Sequence, residues 1–277
     1  MTAERLGVAE FGRILVESGD IDPLYFALVG TRMPRAQLAR WLVCYWCYYN
    51  AGLSCWASEQ EEWTVLDKIA RGGTDYPRGS ERRHFRGAFA VESVRRLREQ
   101  FTDAEEMLEW LVADGYRATA VMARIKGLYG FGEWIKWKVP DMLERLGLYP
   151  IEFVEGDVRY MFDSSLKGAY LVHEKHATRG NGQSPTSKLL WAHRYVLQTV
   201  EGLKAPPQRD RALNVQETET IFCKWKSHLG GHYPLYKDTH EIYHGLARYE
   251  GACVTARRMR KAMRDVFGGL LGRATHA

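Results

Sequence analysis

No apolar run in this sequence approaches the ~18 residues that a membrane-crossing helix requires. The first residues, Met1-Thr2-Ala3-Glu4-Arg5-Leu6, lack the apolar core of a signal peptide. No membrane partner is therefore expected, and a cytoplasmic location is. Strand signals are equally scarce. Ile151 to Val154 and Arg159 to Phe162, split by Glu155-Gly156-Asp157, could form one hairpin or simply a loop. There is no internal repeat, no low-complexity tract and no alternation of strand and helix patterns, so an α/β architecture is not expected.

Metal-binding patterns are also missing. Of the five cysteines, Cys44-x-x-Cys47 looks like half a metal site, but no second pair follows at ligand spacing. The pair sits within the aromatic run Trp41 to Tyr49, where buried free thiols are expected. The four-cysteine spacing of iron–sulfur glycosylases is absent. His228, His232, His240 and His244 lie near Asp238 and Glu241, and His240 and His244 are one helical turn apart, yet they complete no zinc motif. His173-Glu174-Lys175-His176 has no evident partner. No metal ligand is assigned.

What is present is ordinary for a soluble globular protein: 45% hydrophobic and 26% charged residues, in a length that can bury a sizeable core. The net charge of +5 is mild, but its distribution is not even. Arg78, Arg82, Arg83, Arg86, Arg95, Arg96 and Arg98 face only Glu81 and Glu92, and Arg257, Arg258, Arg260, Lys261 and Arg264 form a second group. Such clusters are the electrostatic footprint of a nucleic-acid partner; the plainer alternative is a solvated helix face.

Periodicity is helical almost throughout. Leu38, Trp41, Leu42, Tyr45, Tyr48 and Tyr49 fall on one face. Thr102-Asp103-Ala104-Glu105 has the form of a capping box. Ser184-Pro185 opens a helix, and Asn214 caps the segment from Val215 to Trp225. Two further helices are expected around Glu241 to Tyr249 and Val254 to Phe267. Loops are expected at Gly72 to Gly79, Thr178 to Gln183 and Lys204 to Arg209. The expectation is one mainly α-helical domain over residues 1–277, divisible into two lobes near residue 150.

Two segments could carry chemistry. In Lys126-Gly127-Leu128-Tyr129-Gly130-Phe131-Gly132-Glu133-Trp134, three glycines follow a helix and precede another, the grammar of a helix–hairpin–helix. A helix starting at Gly132 would offer free amides to a DNA phosphate. Trp134, Trp137, Lys138 and Asp141 then share a face. The indoles could stack on an extruded base and the carboxylate could act as a base, or both indoles are core and Lys138–Asp141 is a solvated pair. In the second segment Glu219, Cys223 and Lys226 share a face, either as a site or as an ion pair beside a buried thiol.

Gly130-Phe131-Gly132-x-Trp134-x-x-Trp137-Lys138-x-x-Asp141 resembles a segment of the alpha-glutamyl/putrescinyl-thymine pyrophosphorylase group, the phage amino acid:DNA transferases. Glu219-x-x-x-Cys223-x-x-Lys226 is similar to a second motif of that family. Phe222 stands where the family has Leu, and Lys224 where an acidic residue is usual. The resemblance implies a helical fold akin to helix–hairpin–helix DNA glycosylases, encoded by a phage and acting in the host-cell cytoplasm. The substrate implied is double-stranded DNA containing 5-(pyrophosphoryloxymethyl)uracil. Pyrophosphate would be displaced by the amine of a free amino acid, glycine for example, or of a polyamine.

In that scheme Asp141, Glu219, Lys138 and Lys226 are the candidate catalytic residues. Arg78, Arg82, Arg83 and Arg86 would neutralise pyrophosphate or DNA, with Gly130, Gly132 and Trp137 holding the nucleotide. No cofactor is implied, and Mg2+ is left open. A DNA glycosylase would share the hairpin and the flipped base. A non-catalytic DNA-binding module would need only the hairpin and the basic clusters.

Overall fold

A computed structural model describes residues 5–178 and 184–272, apart from the Glu62 side chain. Most of the loop expected at Thr178 to Gln183 lies outside the described residues. Along the chain run α1 (Val8–Ser18), α2 (Pro23–Thr31), α3 (Arg35–Tyr48), α4 (Ala51–Ser58), α5 (Glu62–Arg71), α6 (Gly87–Gln100) and α7 (Ala104–Val112). Then come α8 (Ala118–Gly127), α9 (Glu133–Arg145), α10 (Asp163–His176), α11 (Pro185–Thr199), α12 (Val215–Leu229), α13 (Lys237–Ala247) and α14 (Val254–Leu271). The protein is mainly α-helical, and no β-strand element occurs among the described residues.

The hairpin reading of residues 151–162 is corrected. Val154 N–H donates to the Asp157 carboxylate at 2.8 Å, closing a turn that continues as a 3-10 helix over Glu155–Tyr160. Helix starts at Ser184 and Asn214 carry the side-chain caps that their types favour. The capping box near residue 102 is displaced by one position. Asp103, not Thr102, accepts from Glu106 N–H (2.8 Å), and the Glu106 carboxylate accepts from Thr102 N–H (2.6 Å). On α3 the expected single apolar face gives way to burial all round, because every residue from Trp41 to Tyr48 is covered.

The chain divides into two compact units, each built from separated segments. One comprises residues 1–25, 152–239 and 269–277, and the other residues 26–151 and 240–268. The boundaries between the units fall at 25/26, 151/152, 239/240 and 268/269, so the N-terminal residues belong with the later half of the chain.

In the first unit, α10 and α12 approach backbone to backbone. A Cβ at Gly168 would lie 2.2 Å from the Phe222 carbonyl oxygen, so only glycine fits. The α1 helix packs against α12, where Phe11 stacks on His228 (4.8 Å). His228 Nδ1 donates to the Tyr233 carbonyl, and its Nε2 accepts from Leu6 N–H (3.2 Å), so this histidine is spent on the fold. Lys224 is buried. It donates to the Asp20 carbonyl (2.6 Å) and pairs with Asp238 (2.7 Å).

In the second unit, Trp41, Trp46 and Tyr48 of α3 are fully buried. Trp46 Nε1 donates to the Met142 thioether Sδ at 3.3 Å. Cys44, Cys47, Cys55 and Cys253 are buried free thiols, and Cys223 in the first unit is part-buried and also free. Burial pushes the Cys44 and Cys47 thiols well up.

Candidate active site

The turn between α8 and α9 is held from beneath. Gly130 takes φ +85°, and a Cβ there would meet Ser93 Oγ at 2.8 Å and the Phe85 ring at 3.1 Å. Ser93 Oγ donates to the Tyr129 carbonyl (2.7 Å), and Arg82 Nη1 donates to the Gly130 carbonyl (2.9 Å). Gly132 is the N-cap of α9 and has no side chain to occupy the first amides. Tyr129 stands exposed beside the turn, with the Arg96 guanidinium 4.3 Å from its ring centroid.

The four arginines expected to meet pyrophosphate or DNA fall into two pairs. Arg78 is spent on four backbone carbonyls: Ile69, Gly73, Tyr76 and Phe85. Arg82 is 2% exposed and bonds the Cys47 and Gly130 carbonyls. Both are braces of the fold, so their assignment as anion ligands is corrected: a guanidinium committed to buried carbonyls is not presented to a ligand. Arg83 and Arg86 are exposed and have no carboxylate partner among the described residues.

On α9, Lys138 Nζ lies 3.2 Å from Asp141 Oδ2, and Arg145 Nη1 lies 3.9 Å from Asp141 Oδ1. The Asp141 carboxylate is buried between two cations, and Arg145 is a neighbour that the sequence reading missed. Pro140 inside the helix has no N–H for the Lys136 carbonyl. Trp137 is 2% exposed, which corrects its role as a stacking platform: no face of its ring is available to an incoming base. Trp134 is half-buried and packs edge-on against Tyr49 (4.3 Å, 70°).

In the other unit, α12 buries a polar run from Gln216 to Thr220. Arg211 forks onto both oxygens of Glu217 (3.1 Å each), and Glu217 accepts from Asn214 N–H (2.9 Å), which fixes the start of the helix. Glu219, 5% exposed, accepts hydrogen bonds from the hydroxyls of Ser165 and Thr220. Cys223 Sγ donates to Ser164 Oγ at 3.4 Å. Burial, and then the charge of Glu219, push the Cys223 thiol up to about 11, with Lys226 opposing. The helical spacing of Glu219, Cys223 and Lys226 is therefore reflected in mutual electrostatics. Ser164 and Ser165 are not signalled by any local pattern, because they reach Cys223 and Glu219 across a helix interface. His193 is buried nearby with Nδ1 2.8 Å from Thr218 Oγ1. The Thr218 hydroxyl proton goes to the Val215 carbonyl (3.2 Å), which assigns the shared proton to His193 Nδ1.

A family model described as amino acid:DNA transferase matches residues 14–233, a span that contains both the turn before α9 and all of α12. The chain belongs to the amino acid:DNA transferase family. As a member it is a DNA-modifying transferase. It is 36% identical over 286 aligned positions to a glycinyltransferase of Pseudomonas phage PaMx11, covering 95% of this chain and 98% of that protein. It is 29% identical over 215 positions to a putrescinyltransferase of Delftia phage PhiW-14, covering 75% of this chain and 67% of that protein. The family match ends before α13 and α14. No helix among the described residues is long and apolar enough to cross a membrane, and none of their His, Cys, Asp and Glu side chains group in threes as a metal site would require.

Proposed function

We propose that this amino acid:DNA transferase joins the amino group of glycine to 5-(pyrophosphoryloxymethyl)uracil in double-stranded phage DNA within the infected host cell, releasing pyrophosphate. The observation that carries the choice of glycine is the nearly end-to-end match to a protein named glycinyltransferase, against a shorter and weaker match to a putrescinyltransferase.

In this reaction the amine nitrogen bonds to the exocyclic methylene carbon, the carbon–oxygen bond breaks, and its electrons leave with pyrophosphate. The attacking nitrogen sheds a proton to a carboxylate. Glu219 and Asp141 are the two candidates, since both are buried acceptors that could also stabilise positive character at the methylene. Exposed Arg83 and Arg86 meet the leaving pyrophosphate or the DNA backbone. Lys138 and Lys226 are candidates for the carboxylate of glycine.

The turn at Gly130–Gly132 supports a helix–hairpin–helix, glycosylase-like mode of holding duplex DNA, with the first amides of α9 on a phosphate. A base inside the stack is out of reach, so the thymine derivative is flipped out. Tyr129 and Trp134, rather than Trp137, supply accessible rings for it.

Nucleoside mass spectrometry tests the proposal. The protein is incubated with 5-hydroxymethyluracil DNA, the matching kinase, ATP and an equimolar mixture of glycine and putrescine. A glycine adduct on the thymine methyl with released pyrophosphate is expected. A putrescine adduct overturns the choice of amine, and free modified base overturns the transfer in favour of a glycosylase. Asp141→Asn and Glu219→Gln should each lower turnover at least about a hundredfold, and full turnover by either folded variant removes that residue from the scheme.

A further inference from the structure

The α14 helix carries a charged face that the transfer chemistry does not use. Its apolar side (Ala256, Met259, Ala262, Met263 and Phe267) is buried. Ala262 sits so close to Gly30 that a Cβ there would approach it to 2.8 Å, and Phe267 meets Phe26 edge-on (5.5 Å). Glu59 caps the helix, accepting from Val254 N–H (3.2 Å) and Thr255 N–H (2.6 Å). These contacts anchor residues 254–268 of the helix in the second unit.

The opposite side exposes Arg257, Arg258, Lys261 and Arg264. At 100° per residue these fall within about 120° of arc and along roughly 10 Å of helix, about three base-pair rises of a duplex. Several exposed basic side chains elsewhere are matched by neighbouring acids, among them Arg95 and Arg96 with Glu92, Arg194 with Glu155, and Lys167 with Asp163. On α14 Lys261 pairs with Asp265, and the part-buried Arg260 on its flank pairs with Glu250. Arg257 donates to a backbone carbonyl, that of Glu250, and Arg258 and Arg264 have no carboxylate partner among the described residues. A row of weakly hydrated guanidinium groups with little neutralisation matches a row of phosphates, which accept from arginine in bidentate fashion.

We propose that the exposed face of α14 grips the phosphate backbone of duplex DNA, independently of sequence and of the modified base. The grip rests on DNA being the substrate of the family and not on glycine or pyrophosphate. It lies beyond the family-model match, which ends at residue 233, and it contributes to holding substrate rather than to the chemical step.

The test uses the full chain and a fluorescein-labelled duplex of ordinary, unmodified DNA, titrated between 50 and 200 mM salt. Arg258→Gln/Lys261→Gln/Arg264→Gln should weaken binding by about tenfold or more at 100 mM salt and flatten the log–log salt slope by about one per lost contact. The charge-preserving Arg258→Lys/Arg264→Lys variant should keep most of the affinity and the slope. Arg13→Gln/Arg194→Gln, which removes two acid-matched cations elsewhere, should leave both unchanged. In turnover assays the triple variant should raise KM for long DNA and leave kcat unaltered. Unchanged affinity and slope in a folded triple variant overturn the proposal, as does an equal loss in the Arg13→Gln/Arg194→Gln control. Because unmodified DNA is the probe, these outcomes are independent of whether glycine is transferred.

Discussion

Arg82 Nη1 donates to the carbonyl of Gly130 at 2.9 Å, while Nε of the same guanidinium donates to the carbonyl of Cys47 at the same distance. The turn that opens α9 is therefore referenced to the C-terminal end of α3 through one buried cation. The Arg82 side chain also covers Phe85, with its guanidinium carbon 4.2 Å from the ring centroid. Removing it would leave two carbonyls without donors and a gap beneath the turn.

Arg82→Ala should cost about 3 kcal/mol or more in urea unfolding, since each hydrogen bond from a charged donor contributes roughly 1.5–3 kcal/mol. Its neighbour Arg83 has no such tie, so Arg83→Gln should stay within about 0.5 kcal/mol of the parent and instead weaken substrate binding. Equal stability losses in the two variants would show that the brace is misassigned.

Two glycines should differ in why they are irreplaceable. Gly168→Ala drives a methyl into the Phe222 carbonyl and must part α10 from α12, so a loss of about 3 kcal/mol or more is expected. Gly130→Ala meets the Ser93 hydroxyl and also a left-handed φ, for about 1–3 kcal/mol. Combining Gly130→Ala with Ser93→Gly should relieve only the steric part; thermal melts of the four proteins separate the two contributions.

His193 gives the stability a pH dependence of known sign. Burial pushes its imidazole down to about 4, whereas the unfolded chain protonates it near 6.5. The unfolded state thus binds more protons as pH falls. The His193 contribution is complete above about pH 6.5, declines down to about pH 4 and changes no further below that. Between pH 7 and pH 5 the protein should lose about 2 kcal/mol from this group. Urea titrations of the parent and of His193→Gln at both pH values check it: the variant should show a smaller loss, and parallel behaviour would exclude His193 as the source.

Cys223 should not serve as a nucleophile. With its thiol pushed up to about 11, almost none is thiolate at neutral pH. Cys223→Ser should retain transfer activity within about threefold, and iodoacetamide at pH 7.5 should leave the parent active. A hundredfold loss in Cys223→Ser with normal folding would instead implicate the thiol.

The helices were legible because local chemistry decides them. Gly132, Ser184 and Asn214 cap the helices that their residue types foretell. The displaced box at Asp103 shows the limit: Thr102-x-x-Glu105 and Asp103-x-x-Glu106 are equally good patterns, and packing of Ala104, Met107 and Leu108 selects the second. The arginine cluster was legible as charge but not as function. Arg82 and Arg83 are adjacent and chemically identical, and only the fold turns one inward to carbonyls and the other outward. The two tryptophans of α9 could not be ranked for the same reason. Ser165 escaped notice because its partner Glu219 lies 54 residues away and the pairing depends on Gly168 letting α10 and α12 touch.

The crossed composition of the two compact units has a consequence for synthesis. The α1 helix leaves the ribosome roughly 200 residues ahead of α12, its packing partner, which at 5–20 residues per second is a delay of about 10–40 s. Phe11, Leu15 and Val16 must stay uncovered for that time. The other unit waits longer still, because α14, which closes over Gly30 and Cys55, is made after α12. A fragment ended at residue 233 would contain every candidate catalytic residue and yet lack the helix that seals one of its cores.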